Sequence, residues 1–168
     1  MVDVSVNAVL NAPNPTFAER VAGSFARQAF MGLLDARLAA VEPGACTIEL
    51  PFRPELSQQH GFFHGGVVGT LADNACGYAS FTLAPADSSI LTVEYKLNLM
   101  APAAGSVLVA RGRVIRPGRT LIVAQADVSV RRGDGSEKPV ATALATLMLM
   151  AGMADEPSAI AGKGDATS

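Results

Sequence analysis

The stretch HGGVVGTLADNACGYASFTL, residues 64–83, decides the fold of this chain. If it forms a helix, apolar or small side chains lie all around its circumference instead of along one stripe. A helix of that kind is buried inside the protein, because it has no broad polar face to turn toward water. We therefore predict one long buried helix over about residues 65–83. Asp73 and Asn74 within the stretch are costly in lipid, so we do not expect it to span a membrane.

The segments around this helix alternate between apolar and polar residues with the two-residue period of β-strands. Turns at residues 117–118 and 133–135 join neighbouring segments, which predicts antiparallel pairing. We predict an α+β fold in which an antiparallel sheet of five to six strands wraps around the long helix. A shorter helix is expected to begin near residue 16. The expected strands cover residues 33–41, 45–52, 91–99, 107–116, 121–132 and 140–150.

The strand pattern also predicts which faces are covered. Along residues 91–99, every second residue from Leu91 is apolar, and Thr92 belongs to the polar set between them. This alternation places Thr92 on the polar face of its strand. Residues 140–150 are apolar on both faces apart from two threonines. One face of that strand is therefore expected to meet another chain.

Size and composition favour one domain that associates with itself. A chain of 168 residues suits a single hydrophobic core, and 49% hydrophobic against 17% charged residues indicates that a partner covers part of the apolar surface. The net charge of −2 argues against binding to nucleic acid. Cys46 and Cys76 lie far apart and suit a reducing compartment. We predict a cytoplasmic protein with a flexible arm (1–15), one domain (16–152) and a disordered tail (153–168).

Asp73 is the only acidic or basic side chain between His64 and Asp87. A carboxylate in an apolar helix is costly unless it is paired or hydrogen-bonded, and no Lys or Arg lies one helical turn away. Two interpretations stay open. Asp73 forms a structural hydrogen bond with a nearby hydroxyl or strand, or it is a functional carboxylate with a perturbed pKa.

Gly65 and Gly66 open the predicted helix. A helix N-terminus offers free N–H groups, which acyl transfer needs for the oxyanion of its tetrahedral intermediate, but a simple turn explains the glycines equally well. Gly65 and Asp73 are separated by about 12 Å along the helix axis, at about 1.5 Å per residue. They cannot both reach one carbonyl within one chain. If both are catalytic, two antiparallel helices of a dimer share each site.

The stretch from His64 to Ala79 resembles the signature of hotdog-fold acyl-CoA thioesterases of the phenylacetic-acid-pathway type. The resemblance runs over about residues 30–150. It includes Met100-Ala101-Pro102-Ala103 and Arg116-Pro117-Gly118-Arg119-Thr120. It implies a hotdog fold, a homodimer or homotetramer, and hydrolysis of an acyl-CoA to free acid and CoA without a cofactor or a metal. It leaves the identity of the acyl group open.

The resemblance also implies roles by position. Asp73 would act as general base or nucleophile, and the Gly65 N–H would polarise the thioester carbonyl. His64 would hold the loop or the thioester, and Gln58 stands where the family often has Asn. Thr92 matches a Ser or Thr that helps to place the hydrolytic water. The residues expected to bind substrate are Gly66, Leu99, Arg116, Gly118, Arg119 and Thr120, with the arginines on the phosphates of CoA. A solvated turn explains the arginines equally well.

Two other functions stay open at this point. A hotdog hydratase or dehydratase would use His64 and Asp73 as acid and base on an acyl thioester. A non-catalytic protein would bind acyl-CoA in the same pocket. A metal enzyme is not expected, because His60 and His64 lie four residues apart with no cluster of carboxylates or cysteines beside them. Neither nucleic acid nor a membrane is expected as a partner.

Overall fold

The computed structural model describes residues 10–155 of the chain. Two helices, α1 (Phe17–Arg27) and α2 (Ala29–Leu34), precede the sheet, and a long helix, α3 (Gly65–Phe81), follows the first hairpin. A short 3-10 turn, Pro54–Leu56, lies before α3. The strands are β1 (Arg37–Glu42), β2 (Ala45–Pro51), β3 (Ser89–Leu99), β4 (Val107–Pro117), β5 (Leu121–Arg131) and β6 (Glu137–Met150).

One antiparallel sheet contains these six strands in the order β1-β2-β4-β5-β6-β3. Helix α3 packs against its inner face, where alternate residues of the strands are buried, as from Ile122 to Val130 in β5. This confirms the predicted α+β hotdog fold, a sheet wrapped around one long buried helix. Because β3 forms an edge of the sheet, it has a hydrogen-bonded neighbour on one side only within the described chain.

The close contact between α3 and the sheet depends on a glycine in β4. A Cβ atom at Gly112 would lie 2.1 Å from the backbone oxygen of Ala75. Any larger residue would push the helix away from the strand, because protein interiors leave no spare room. Gly112 therefore sets how deeply α3 lies in the sheet, and with it the position of Asp73, two residues before Ala75.

Helix α1 docks beside the C-terminal end of α3 through Arg20. The Arg20 guanidinium donates to the backbone oxygens of Ala84 at 3.3 Å and Pro85 at 2.7 Å. It also lies over the ring of Phe81, 4.1 Å from the ring centroid. Charge-assisted hydrogen bonds are the stronger kind, so these contacts fix α1 against the chain that follows α3. A cavity between α1, α3 and β3 results from this docking.

The strand predicted over residues 33–41 is wrong in its first part. Met31 and Leu34 are buried and three residues apart, which is the spacing of a helix face, and they belong to α2. Asp35 has a φ of 60° and ends this helix, so that β1 begins only at Arg37. A short apolar run fits both the helical and the strand period, which is why the pattern was misleading.

A β-bulge in β3 makes the predicted placement of Thr92 wrong. The pairing with β6 shifts register between Thr92 and Glu94, which leaves Val93 as an extra residue. An extra residue reverses the alternation of side chains from that point on. Thr92 and Tyr95, three residues apart, therefore both point toward α3.

The predicted arm over residues 1–15 and the predicted tail over residues 153–168 lie mostly outside the described residues. Within the arm, Leu10 packs against the hydrophobic core. Asn14 is buried, and its side-chain oxygen accepts a hydrogen bond from the backbone N–H of Thr16 at 3.1 Å. None of the helices in the described part of the chain has the length and apolar character needed to span a membrane.

Candidate active site

Asp73 lies in the middle of α3, where its half-buried side chain faces β3. Its Oδ1 atom accepts a hydrogen bond from Thr92 Oγ1 at 2.8 Å. The bulge at Val93 allows this contact, because it turns Thr92 toward the helix. Asp73 forms no ion pair within residues 10–155, and its Oδ2 atom accepts no hydrogen bond from them. The structure thus brings two predicted catalytic residues together and leaves one carboxylate oxygen available.

The electrostatic setting of Asp73 differs from that of an exposed carboxylate. Burial raises the pKa of Asp73 above its ordinary value, and the hydrogen bond from Thr92 partly opposes this shift. Loss of water disfavours the charged form, whereas a hydroxyl donor stabilises it. A carboxylate whose pKa moves toward neutrality accepts protons more strongly than an exposed one. Asp73 is therefore suited to general-base chemistry.

His64 is the N-cap residue of α3. Its Nδ1 atom accepts a hydrogen bond from the backbone N–H of Gly66 at 2.9 Å, and its own backbone N–H donates to Leu56 at 2.9 Å. A Cβ atom at Gly66 would lie 3.0 Å from this Nδ1, so a glycine there leaves room for the ring. With Nδ1 as acceptor, the neutral ring carries its proton on Nε2. His64 therefore fixes the geometry of the first helical turn.

The backbone N–H of Gly65 donates to no acceptor among residues 10–155, whereas that of Gly66 is engaged by His64. Free N–H groups at the start of a helix carry the positive end of the helix dipole. They are suited to an oxygen that gains negative charge during a reaction. Of the two predicted glycines, Gly65 is the one with a donor to offer.

Gln58 and Leu99 line the same cavity as Gly65, with a volume of about 270 Å³. The Oε1 atom of Gln58 accepts a hydrogen bond from the backbone N–H of His60. Asp73 is absent from this cavity and lines another one, of about 190 Å³. In a single chain, the candidate base and the candidate oxyanion donor therefore face different cavities.

The predicted phosphate-binding turn joins β4 to β5 and lies in neither cavity. It contains Gly118, Arg119 and Thr120, and Arg116 lies beside it at the end of β4. A Cβ atom at the glycine would lie 2.0 Å from a backbone oxygen of the same turn, so the turn requires glycine. Neither arginine forms an ion pair within the described residues. Pro117, at the start of this turn, is linked to Thr92 by the strand pairing across β5 and β6. The two residues are three strand spacings apart, about 14 Å at about 4.8 Å per spacing, so the turn lies about that far from the partner of Asp73.

The cavity beside Asp73 contains polar residues that the sequence analysis did not single out. They are Ser24, Gln28, Asn74 and Tyr78. Ser24 comes from α1 and Gln28 caps its C-terminus; the helical pattern of α1 is visible in the sequence, although its docking site is not. The other two lie on the quoted stretch four residues apart, the spacing of one helix face, but one and five positions after Asp73, so helical spacing alone does not place them beside it.

Other chemistry-bearing groups of the described chain do not compete with Asp73. Burial raises the pKa of the thiols of Cys46 and Cys76 to about 12, so both stay protonated near neutral pH and are poor nucleophiles. No group of three or more His, Cys, Asp or Glu side chains within residues 10–155 is placed to hold a metal ion. The carboxylate remains the candidate catalytic group.

The comparisons with known proteins agree with this fold. The chain matches the family model of the thioesterase superfamily over residues 60–137, which contain Asp73, Gly65 and Thr92. A thioesterase family protein from Silicibacter pomeroyi, of known structure, is 46% identical with a TM-score of 0.79, and the match covers 81% of this chain and 99% of that one. The chain belongs to the thioesterase superfamily, a family of thioester hydrolases.

More distant relatives bear on the subtype. A proposed esterase of Saccharolobus solfataricus is 32% identical over 106 residues, which are 63% of this chain and 67% of the relative. The E. coli PaaI protein from the phenylacetic acid degradation operon has a TM-score of 0.73 at 16% identity, with 83% of this chain and 96% of that one covered. That likeness shows the fold alone, so the phenylacetic-acid-pathway subtype stays a prediction.

Proposed function

We propose that this protein is an acyl-CoA thioesterase, which hydrolyses an acyl-CoA to free acid and CoA. The observation that carries the proposal is Asp73, a half-buried carboxylate of raised pKa held by Thr92 on a helix whose first turn offers a free N–H. Membership of the thioesterase superfamily supports the class of reaction. Arg116, at the end of β4, and Arg119, in the turn after it, form no ion pair within residues 10–155 and suit the phosphates of CoA.

In the proposed reaction, Asp73 removes a proton from a water molecule, whose oxygen attacks the thioester carbonyl carbon. The Gly65 N–H stabilises the resulting oxyanion. Collapse of the tetrahedral intermediate breaks the C–S bond, and the CoA thiolate takes up a proton. Direct attack by Asp73 through a mixed anhydride is the alternative. Single turnover in heavy-oxygen water tests for the anhydride, because isotope enters the Asp73 side chain only if water cleaves an anhydride at the Asp73 carboxyl carbon.

We also propose that each active site is built from two copies of the chain. Within one α3, Asp73 and Gly65 are separated by about 12 Å along the axis, and they line different cavities. The edge strand β3 offers backbone N–H and C=O groups to a second strand. Exposed apolar side chains at this edge support the pairing: Tyr95 is 43%, Leu99 58% and Met100 56% exposed.

A two-fold axis that sets Asp73 of one copy beside Gly65 of the other also sets the register of the paired β3 strands. Asp73 contacts Thr92, and Gly65 lies beside Leu99, so Thr92 should face Leu99 of the second copy. Residues opposite each other in antiparallel strands share a face, and the bulge removes one step between these positions. The two-fold axis then passes beside Lys96, so that Lys96 of one copy faces Lys96 of the other on the outer surface of the sheet.

A cysteine cross-link tests this register. Oxidation of Lys96→Cys should give disulfide-linked dimers on a non-reducing gel, because Cα atoms that face each other across antiparallel strands lie about 5 Å apart. The matched control is Asn98→Cys, on the same face, whose two copies would lie about 14 Å apart and beyond disulfide reach. A cross-link at Asn98 without one at Lys96 would show that the register is wrong.

Hydrolysis itself is tested with a panel of acyl-CoAs and detection of the free thiol. We expect turnover that survives EDTA and that exceeds hydration of an enoyl-CoA of equal length. The absence of turnover on the whole panel, sensitivity to EDTA, or a preference for hydrating the enoyl group would refute the proposal.

Subunit complementation tests the shared site. Asp73→Asn retains the Gly65 donor, and Gly65→Pro retains Asp73 but removes the N–H. Proline suits this first helical position, and His64 before it already has the extended conformation that proline requires, with φ −63° and ψ 140°. Refolding the two inactive variants together should restore about a quarter of wild-type activity, because about half of the dimers are mixed and each has one intact site. Each variant refolded alone is the control, and mixed dimers without activity would place the chemistry within one chain.

A further inference from the structure

Helix α3 contacts the edge strand β3 midway between its two candidate catalytic groups. The contact is made by Tyr95, whose hydroxyl lies 3.2 Å from the place that a Cβ atom of Gly69 would occupy. Gly69 is four residues from Gly65 and four from Asp73, or about 6 Å along the helix axis from each. A side chain at Gly69 would press on the phenol, because favourable contacts between atoms lie at about 3.5–4.0 Å. Tyr95 therefore packs directly against the helix backbone.

The surroundings of Tyr95 are incomplete within its own chain. Its hydroxyl forms no hydrogen bond within residues 10–155, and the residue is 43% exposed although it points toward α3. Tyrosine combines a large apolar ring with a polar tip, which suits it to interfaces where both are covered. Because β3 forms an edge of the sheet, the open side of Tyr95 is the side at which a second strand would pair.

The two-fold axis of the proposed dimer passes through this contact. If Gly65 of one α3 faces Asp73 of the other, the midpoint residue Gly69 faces Gly69 of the second copy. In the register proposed above, Tyr95 lies opposite Leu97 of the second copy and diagonal to Tyr95 of that copy. Diagonal neighbours on one face of antiparallel strands are about 7–8 Å apart, which is within reach of aromatic side chains. The two phenols can therefore meet at the axis, between the two active sites.

We propose that Tyr95 is a positioning residue. The two Tyr95 side chains of a dimer pack against each other on the axis, and each supports Gly69 of its own α3. Together they set the distance from Asp73 of one copy to the Gly65 N–H of the other. The assignment rests on the shared site proposed above. A displacement of about 1 Å can cost about 100-fold in rate, so this spacing acts on kcat.

Oxidative coupling of tyrosines tests whether the two phenols meet. Photo-oxidation with a ruthenium complex and persulfate joins two phenols in contact by a carbon–carbon bond; each ring loses one hydrogen, and persulfate is the oxidant. The chain contains two tyrosines and no tryptophan, and the other tyrosine, Tyr78, is only 6% exposed. We expect a dimer that persists in a denaturing gel and shows dityrosine fluorescence. It should form in Tyr78→Phe and be lost in Tyr95→Phe.

The disulfide of Lys96→Cys separates the two ways in which this test can fail. If that disulfide forms but the wild type gives no dityrosine, the strands pair as proposed and Tyr95 does not lie at the axis, which overturns this inference alone. If neither cross-link forms, the shared site is overturned together with it. Coupling that persists in Tyr95→Phe would also overturn the inference.

Kinetics test the positioning role. Tyr95→Leu removes the ring and should lower kcat about 10- to 100-fold with little change in KM, whereas Tyr95→Phe keeps the ring and should retain most of the activity. Gly69→Ala presses on the hydroxyl and should lower kcat as well. Combining it with Tyr95→Phe removes the obstructing atom and should return kcat to the value of Tyr95→Phe alone. The matched control is Gly32→Ala, which has no atom within 4 Å of the added Cβ and should leave kcat unchanged.

Light scattering establishes that each variant is dimeric before its kcat is compared. An unchanged kcat in dimeric Tyr95→Leu and Gly69→Ala would overturn the positioning role. If Tyr95→Leu does not dimerise, the Gly69→Ala variants decide, because their rescue requires contact between the alanine and the phenol hydroxyl. A loss in Gly69→Ala that Tyr95→Phe does not restore would overturn the role.

Discussion

The first turn of α3 and the turn that carries Asp73 obtain their polar groups in different ways. In the first turn, neighbouring residues suffice: His64 accepts the Gly66 N–H, and the Gly65 N–H has no acceptor among residues 10–155. At Asp73, the partner is Thr92, 19 residues away on β3, and the contact requires the bulge in that strand. One half of the site is therefore set by local sequence and the other half by packing between a helix and a strand.

This difference has consequences for mutation. A backbone N–H donor is retained in most side-chain variants near it. A buried carboxylate can no longer act as a base when one of its oxygens is replaced, as in Asn, and while it is present its burial lowers the free energy of unfolding. Variants at Asp73 should therefore separate activity from stability more sharply than variants at the first turn.

Asp73→Asn should lower kcat by about 10²- to 10⁴-fold, the usual contribution of a general base. The same variant should unfold at a higher temperature at neutral pH. Because burial puts the folded-state pKa of Asp73 above its unfolded value, ionisation costs folding free energy once the pH exceeds the unfolded pKa, and the full cost is present above the folded pKa. Asn removes that cost, so the difference should vanish at acid pH. A lower midpoint than wild type at neutral pH would contradict this account.

Thr92→Val should lower kcat about tenfold and move the acid limb of the pH–rate profile to higher pH. The hydrogen bond from Thr92 lowers the pKa of Asp73 against the larger effect of burial, so its loss raises the pKa further. Thr92→Ser keeps the hydroxyl and serves as the matched control. An acid limb that stays in place in Thr92→Val would show that Asp73 is not the group that titrates.

The double variant Arg116→Ala/Arg119→Ala should change KM more than kcat, unlike the variants in α3. We expect KM for acyl-CoA to rise about tenfold with a much smaller change in kcat, because the phosphates contribute binding that is equal in ground state and transition state. Arg132→Ala, an exposed arginine of the β5–β6 turn, is the control. An equal loss on a short thioester without the nucleotide would assign the arginines to another role.

His64→Ala should lower the free energy of unfolding by about 0.5–2 kcal/mol, which is the cost of removing an N-cap side chain. His64→Asn keeps a capping oxygen and should recover most of this stability. The pair separates capping from chemistry in urea unfolding and activity assays. If Asn restores stability but not kcat, the imidazole contacts the substrate.

Much of the fold follows from the sequence because it depends on strong periodic signals. The apolar circumference of residues 65–83 predicts α3, which ends at Phe81, and the alternation from Ile122 to Val130 predicts the buried face of β5. The short run before Arg37 fits two periods equally well, and α2 was missed for that reason. Local pattern was reliable wherever an element was long.

The candidate site was predictable only where it is local. Asp73 stands out by its charge and Gly65 by its position at the start of the predicted helix. Both lie on α3, with Gly65 as its first residue and Asp73 eight residues later. Thr92 was assigned to the wrong face, because one extra residue, Val93, carries no distinct sequence signal. Ser24 was missed because the docking of α1 depends on tertiary contacts that no periodicity encodes.

The position of β3 at the sheet edge also affects the rate at which activity returns when the chain refolds. Formation of the sheet within one chain is a first-order event whose rate does not depend on protein concentration. In the proposed dimer, pairing of two β3 strands is second order, so the return of activity after refolding should slow in proportion to dilution, while circular dichroism recovers at a constant rate. At low expression, a folded chain of the proposed dimer would then wait for its partner before it could turn over substrate.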